Sequence, residues 1–305
     1  MRRLLLIPLL VLALSLPVLA QNTPPEAPTW PVDMLLNYSV TGNVVYSVAS
    51  NYECKLDVYQ RRGVTGPVPT VLYIHGGGWV GGTKEGATMQ IFPYLEMGFC
   101  VVNVEYRMAR VAFAPAAVED CRQALRWVVK NSKTYGFDTS RIVITGGSAG
   151  GHLALITGML VPSAGFDATK EWDQSTTPLP VAAIVNWFGI TDVKDLLSGA
   201  NRQQYAVSWL GSQPDRDAIA ASVSPLTYVR PGGPPVISVH GDNDELVPYS
   251  HGVRLHAALT EAKVPNRLIT IKGGKHGGFN RDDTIACYAA IREFLRQNGV
   301  LSAAR

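Results

Sequence analysis

The sequence predicts a doubly wound, mostly parallel α/β sheet of eight strands with helices on both faces. Two observations predict it. Short runs rich in Val and Ile fill consecutive positions, as strands do when helices cover both faces of a parallel sheet. Between those runs lie stretches with apolar residues three and four apart, the strand and helix alternation of an α/β fold. Composition agrees, because 47% hydrophobic and 17% charged residues over 305 positions suit one large globular core rather than a disordered or fibrous chain.

The strands fall at 44–50, 55–59, 70–75, 100–106, 141–145, 181–187, 236–240 and 267–271. The first two pair antiparallel through a turn at Asn51. Val118, Cys121, Leu125 and Val128 make one apolar helical stripe that ends near Gly136. Further helices occupy 150–160, 253–262 and 284–295, the last placing Ile285, Tyr288, Ile291 and Leu295 on one face. Residues 192–235 break the rhythm with Ser, Gly, Gln, Asp and Pro. So long a connection reads as a small, partly helical cap insertion over the site.

The N-terminus has a different character. Arg2 and Arg3 precede an apolar run from Leu4 to Leu19, and Val18-Leu19-Ala20 supplies the small residues of a cleavage site. Residues 1–20 are therefore expected to be a signal peptide, cut before Gln21, because the run is shorter than the roughly 20 residues of a spanning helix. A secreted or periplasmic protein follows, with no membrane anchor after cleavage. Residues 21–42, rich in proline, read as an extended leader, and 43–305 as one domain. The full chain sets 27 basic against 24 acidic residues, and loss of Arg2 and Arg3 leaves 25 against 24, or +1. Such a balance implies neither nucleic acid nor an anionic membrane as partner.

Four cysteines, Cys54, Cys100, Cys121 and Cys287, lie far apart without C-x-x-C spacing, which argues against zinc and thioredoxin-like chemistry. Cys100 and Cys121 sit in apolar patterns and read as buried free thiols. No His, Cys or Asp cluster has ligand spacing, so no metal or organic cofactor is expected.

Gly146-Gly147-Ser148-Ala149-Gly150 follows a strand and opens a helix. A serine on such a sharp turn exposes its hydroxyl, and flanking glycines let strand and helix approach closely. Ser148 is the candidate nucleophile. Upstream, His75-Gly76-Gly77-Gly78-Trp79 also follows a strand. Successive glycines can aim backbone N–H groups at one point, so those of Gly77 and Gly78 with that of Ala149 form a candidate oxyanion hole. A phosphate cradle is the competing reading, but no Lys-Ser/Thr pair follows.

A serine hydroxyl needs a base, and the base an acid to orient it. Of the five histidines after Ser148, His276 stands in a glycine-flanked loop directly after the last strand. It is the candidate base. His240 ends a strand, His152 lies on the helix after Ser148, and His251 and His256 read as surface packing on their helix. The loop after the seventh strand offers Asp242, Asp244 and Glu245 as acids, and the residues alone do not choose among them.

Taken together, His75 to Trp79, Gly146 to Gly151, His240 to Pro248 and His276 to Phe279 resemble the α/β-hydrolase esterases. The pattern is nearest to the bacterial feruloyl and acetylxylan esterase-like group, with the hormone-sensitive-lipase-like carboxylesterases next. It covers roughly Lys55 to Leu295. The span from Gln21 to His75 is too short for the N-terminal cap of the lipase-like enzymes. The resemblance implies an α/β-hydrolase fold and places the acid on Asp244, four positions after His240. It also implies that Arg107 and Asp120 serve structure, as a buried polar pair or in helix capping, and that His152 packs near the elbow. The implied activity is serine carboxylic-ester hydrolysis through an acyl-enzyme, on short acyl or hydroxycinnamoyl esters, small or linked to plant polysaccharide. Trp79, beside the oxyanion loop, and Gly147, next to the nucleophile, are assigned to substrate binding. Amide cleavage of the formamidase or dipeptidyl-peptidase kind is the alternative, and a non-catalytic binding protein on the same fold is a further one.

Overall fold

The computed structural model describes residues 29–167 and 178–302. The expected signal peptide and the first part of the expected leader lie outside them. Eight strands form one sheet: β1 (Tyr38–Ala49), β2 (Tyr52–Arg61), β3 (Val68–Ile74), β4 (Cys100–Val104), β5 (Phe137–Gly147), β6 (Ala183–Trp187), β7 (Val236–Gly241) and β8 (Asn266–Ile271). Their order is β1-β2-β4-β3-β5-β6-β7-β8, antiparallel through β1, β2 and β4 and parallel from β4 to β8. The β1–β2 turn places Ser50 and Asn51 at φ 53° and 56°, the two positive φ values that a type I′ hairpin turn requires.

The consecutive apolar residues of the central strands feed two cores. Leu72 and Ile74 of β3 join one, and Val71 and Tyr73 join the other. The first core is closed by α3 (Ala116–Lys130), followed by the one-turn α4 (Ser132–Tyr135), and by α5 (Ala149–Met159) and α8 (Ser250–Glu261), the second by α2 (Thr88–Glu96) and α9 (Arg281–Gln297). Chain order reverses on either side of β3, which pairs with both β4 and β5. Such a switch point opens a crevice at the carboxyl ends of the strands, and the loops after β3, β5, β7 and β8 meet there. The β6–β7 connection carries two short helices, α6 (Gln204–Leu210) and α7 (Arg216–Ser222).

Several expectations are corrected. Part of the supposed extended leader is ordered structure, a helix α1 (Thr29–Asn37) running into β1 at Tyr38. Packing explains it: Trp30 meets Phe92 edge-on at 5.4 Å, and Met34 packs on the second core. The Tyr38 hydroxyl donates to Leu95 O at 2.7 Å. Pro31 is compatible because a helix's first turn has no use for its N–H. α2 gave no sequence signal, since Pro93 stands inside it. His251 and His256 are buried rather than on the surface, because α8 turns them inward. All four cysteines are buried free thiols.

Arg107 and Asp120 form the buried pair: Arg107 Nε donates to Asp120 Oδ1 at 2.9 Å and Arg107 N to Oδ2 at 2.8 Å. No helix among the described residues is long and apolar enough to cross a membrane.

Candidate active site

β5 runs out at Gly147, and Ser148 turns the chain into α5 at φ 58°, ψ −123°. A side-chain-bearing residue held there stores about 1–3 kcal/mol of strain. The neighbouring glycines are required sterically. A Cβ at Gly146 would lie 2.2 Å from Ile74 O, and one at Gly150 2.1 Å from the same oxygen. Ser148 N donates to Trp187 O at 2.9 Å, which ties the turn to the end of β6.

Two loops carry the partners of Ser148. His276, after β8, places Nε2 2.8 Å from Ser148 Oγ and Nδ1 2.7 Å from Asp244 Oδ2. Asp244, after β7, is wholly buried at its side chain. Its Oδ1 accepts from the amides of Leu246 and Val247, both at 2.9 Å. Burial alone would raise its pKa, but hydrogen bonds from His240 and His276 and from the Val247 amide outweigh it and hold the carboxyl well below the usual carboxylate range. Asp242 instead accepts from Gly273 N at 2.6 Å, and Glu245 is exposed. Of the three acids in this loop, Asp244 is the one that reaches the imidazole.

His240 belongs to this cluster although its sequence position marked it only as a strand end. Its Nε2 lies 3.2 Å from Asp244 Oδ2 and 3.0 Å from Val247 O, in a fully buried setting. Its spacing of four from Asp244 was the available signal.

The loop after β3 lies against the same space. Gly77 and Gly78 adopt φ 117° and 60° and line one cavity with Gly147, Ser148 and His276. Gly77 O accepts from Val80 N and Gly81 N, closing a tight turn. Ala149 opens α5, so its N–H has no helical partner four residues back. Behind the loop, His75 stacks on Tyr106 at 4.4 Å, and the Tyr106 hydroxyl donates to His75 O at 3.1 Å.

Trp79 does not bind substrate as expected. It is fully buried, stacked on Trp209 at 4.1 Å, and does not line the cavity. Its Nε1 donates to His152 Nδ1 at 3.2 Å, which leaves His152 Nε2–H to donate to Val223 O at 2.7 Å. Burial pushes the His152 pKa down to about 4, so the ring stays neutral and can accept that bond. Trp79 thus clamps the glycine loop to α5 and to the β6–β7 insertion. Gly147 does face the cavity.

The cavity holds about 600 Å³, and Tyr73, Gln90, Phe188, Tyr205 and Leu246 surround Ser148 and His276 within it. Phe188 meets the His276 ring edge-on at 4.8 Å. The Tyr205 hydroxyl donates to Leu246 O at 2.9 Å, joining the insertion to the loop of Asp244. A neighbouring chamber of about 320 Å³ shares Tyr73, Gln90, Gly147 and Phe188 and adds Trp187, Phe279 and Tyr288. Among these lining residues the sequence carried a signal for Gly147 alone; the others come from segments far apart in the chain. Among the described residues no group of three His, Cys, Asp or Glu side chains could hold a metal ion.

A strained serine between β5 and α5, with its partners on the loops after β7 and β8 of this sheet, defines an α/β-hydrolase. Comparison with known proteins agrees and narrows the class. The model of the BD-FAE family matches residues 56–259, and the chain belongs to that family. Esterase LipQ of Mycobacterium tuberculosis is 29% identical over 219 residues, 68% of this chain and 50% of the relative. This chain spans about half the length of the curated relatives it matches. Among solved structures, Thermogutta terrifontis esterase 2 phosphoramylated by tabun superposes with a TM-score of 0.72 at 27% identity, covering 92% of this chain and 99% of that one. A truncated carbohydrate esterase from gut microbiota gives 0.70 at 25% identity, covering 86% and 97%.

Proposed function

We propose that this protein is a serine carboxylic-ester hydrolase working through an acyl-enzyme. The observation that carries the reading is one imidazole hydrogen-bonded at Nε2 to Ser148 Oγ and at Nδ1 to a buried carboxylate. With Nδ1–H donated to Asp244, Nε2 is the free base. Ser148 Oγ attacks the ester carbonyl carbon while its proton passes to Nε2. The carbonyl oxygen takes the negative charge and is held by the N–H groups of Gly77, Gly78 and Ala149, each donor contributing about 3 to 4 kcal/mol to the transition state. Collapse breaks the carbon–alkoxide bond, and His276 Nε2–H protonates the departing alcohol. Water, deprotonated by the same nitrogen, then attacks the acyl-enzyme, and the acid leaves as Ser148 recovers its proton. Asp244 stays ionised throughout and stabilises the imidazolium.

The substrates we assign are short acyl or hydroxycinnamoyl esters, free or attached to plant polysaccharide, and the protein meets them after export. The aromatic side chamber supports this, since Tyr73, Trp187, Phe188 and Tyr288 offer faces for a planar acyl group. So does the carbohydrate esterase among the similar structures, and the apolar run after Arg2 and Arg3 supports export. The test compares wild type with Ser148→Ala on p-nitrophenyl acetate, methyl ferulate, acetylated xylan and an anilide. Loss of all ester cleavage in Ser148→Ala with the thermal midpoint nearly unchanged is the expected result. Wild-type turnover by that variant would overturn the mechanism, cleavage of p-nitrophenyl acetate alone would remove the hydroxycinnamoyl and polysaccharide part of the assignment, and preferential anilide cleavage would replace esterase with amidase.

A further inference from the structure

A second concave site lies at the opposite end of the sheet, where the parallel strands begin. Arg61 closes β2, Arg141 stands early in β5, and Arg292 and Arg296 project from α9. Their side chains line a cavity of about 360 Å³ together with Glu96 and Ser302. Arg141 and Ser148 are separated by the length of the inner part of β5, roughly 20 Å at the usual rise per residue. The two sites are therefore distinct.

Four guanidinium groups face this cavity against one carboxylate, and the pairing is incomplete. Arg292 Nη2 approaches Glu96 Oε1 only to 3.9 Å. Arg141 is tied to Asp138 at 2.6 Å. Among the described residues, Arg61 and Arg296 have no carboxylate within ion-pair distance, and Arg296 Nε is buried without a hydrogen-bond partner. Gly98, at φ 92°, brings its backbone under Arg61, where a Cβ would stand 3.1 Å from Nη1. Arg61 is exposed and Arg292 and Arg296 are half-buried, so a surplus of cation with open donors gathers in one pocket and calls for an anion. Planar guanidinium forks match tetrahedral oxyanions with paired N–H bonds, which an ammonium group does not.

The geometry points to a binding site for a phosphate- or sulfate-type oxyanion held by Arg61, Arg292 and Arg296, independent of ester hydrolysis. The anion is either free in solution or the head group of an anionic phospholipid, and both present the same tetrahedral oxygens. A nucleic acid backbone fits less well, since the chain is nearly neutral and the basic residues gather around one open pocket rather than along a stripe.

Sodium phosphate and sodium sulfate are titrated against the intact protein by calorimetry and thermal shift, with sodium chloride at matched ionic strength as reference. Saturable binding and a rising thermal midpoint with phosphate or sulfate, absent with chloride, are expected. An Arg61→Gln/Arg296→Gln variant should bind at least tenfold more weakly, while Ser148→Ala binds as wild type does. Unchanged p-nitrophenyl acetate turnover shows that the double variant folds. Should it not fold, Arg61→Gln alone, exposed at the strand end, is measured instead. Binding no better than chloride, or affinity undiminished by the substitutions, overturns the proposal. Sedimentation with phosphatidic acid vesicles but not phosphatidylcholine vesicles, lost in the variant, assigns the lipid head group. Phosphate binding without sedimentation assigns the free ion.

Discussion

Replacing Asp244 by Asn tests the proposed mechanism at the point where the structure dictates the outcome. Asp244 Oδ1 is pinned by two amide donors, Leu246 N and Val247 N. An Asn in this place must keep its carbonyl oxygen there, because its NH₂ would otherwise face two N–H groups. The amide nitrogen then takes the position of Oδ2, 2.7 Å from His276 Nδ1. As a donor it requires Nδ1 to accept, so the ring proton moves to Nε2. In that tautomer Nε2 cannot take the Ser148 proton. The loss of base and of imidazolium stabilisation is worth about 10⁴-fold in kcat, or roughly 5 kcal/mol, by analogy with the corresponding change in a serine protease. Hydrolysis of p-nitrophenyl acetate at pH 7 measures it, with KM nearly unchanged because Asp244 does not line the cavity. A variant within tenfold of wild-type kcat would refute the tautomer argument and with it the role of Asp244.

Other outcomes follow from the same geometry. Ser148→Gly relieves the positive φ that Ser148→Ala retains, so it should be the more stable of the two inactive variants by about 0.5–2 kcal/mol after glycine's unfolded-state entropy is subtracted; chemical denaturation compares them, and a less stable glycine variant would contradict the strain. Gly150→Ala would press a Cβ to 2.1 Å from Ile74 O; overpacking of this kind typically costs about 1–3 kcal/mol, and esterase activity should fall together with the denaturation midpoint. His152 has a folded-state pKa of about 4 against an ordinary value of 6.5, so the unfolded chain binds the proton first. Its contribution is complete above pH 6.5 and is lost as pH falls toward 4, by about 3 kcal/mol. Unfolding free energies between pH 7 and 4 check this, and His152→Gln should flatten that slope.

The inner strands were legible because most of their residues are buried on both faces, which writes continuous apolar runs. β1 was read six residues short, since Ser39 to Asn43 are largely solvent-facing and carry no such run. The helix at Thr88–Glu96 was hidden by Pro93, and α1 by its flanking prolines. In the site, Ser148 and the glycine loop could be picked out because their backbone conformations demand particular residue types at fixed spacing. Trp79 misled for a related reason: a tryptophan beside such a loop suggests a contact surface, but its direction depends on Trp209 and His152, far away in the chain.

The sequence by itself determined the kind and order of the elements and the segments that bear the chemistry, because strand and helix periods and glycine's backbone freedom act over a few residues. Only the tertiary structure decided which of three neighbouring carboxylates reaches His276, that His240 also contacts that carboxylate, and which side chains wall the cavity. Those outcomes are set where loops from distant strands converge: the Ser148–His276 bond spans 128 positions. Direction and distance across such a gap come from the packing of the whole sheet and its helices, and no local pattern records them.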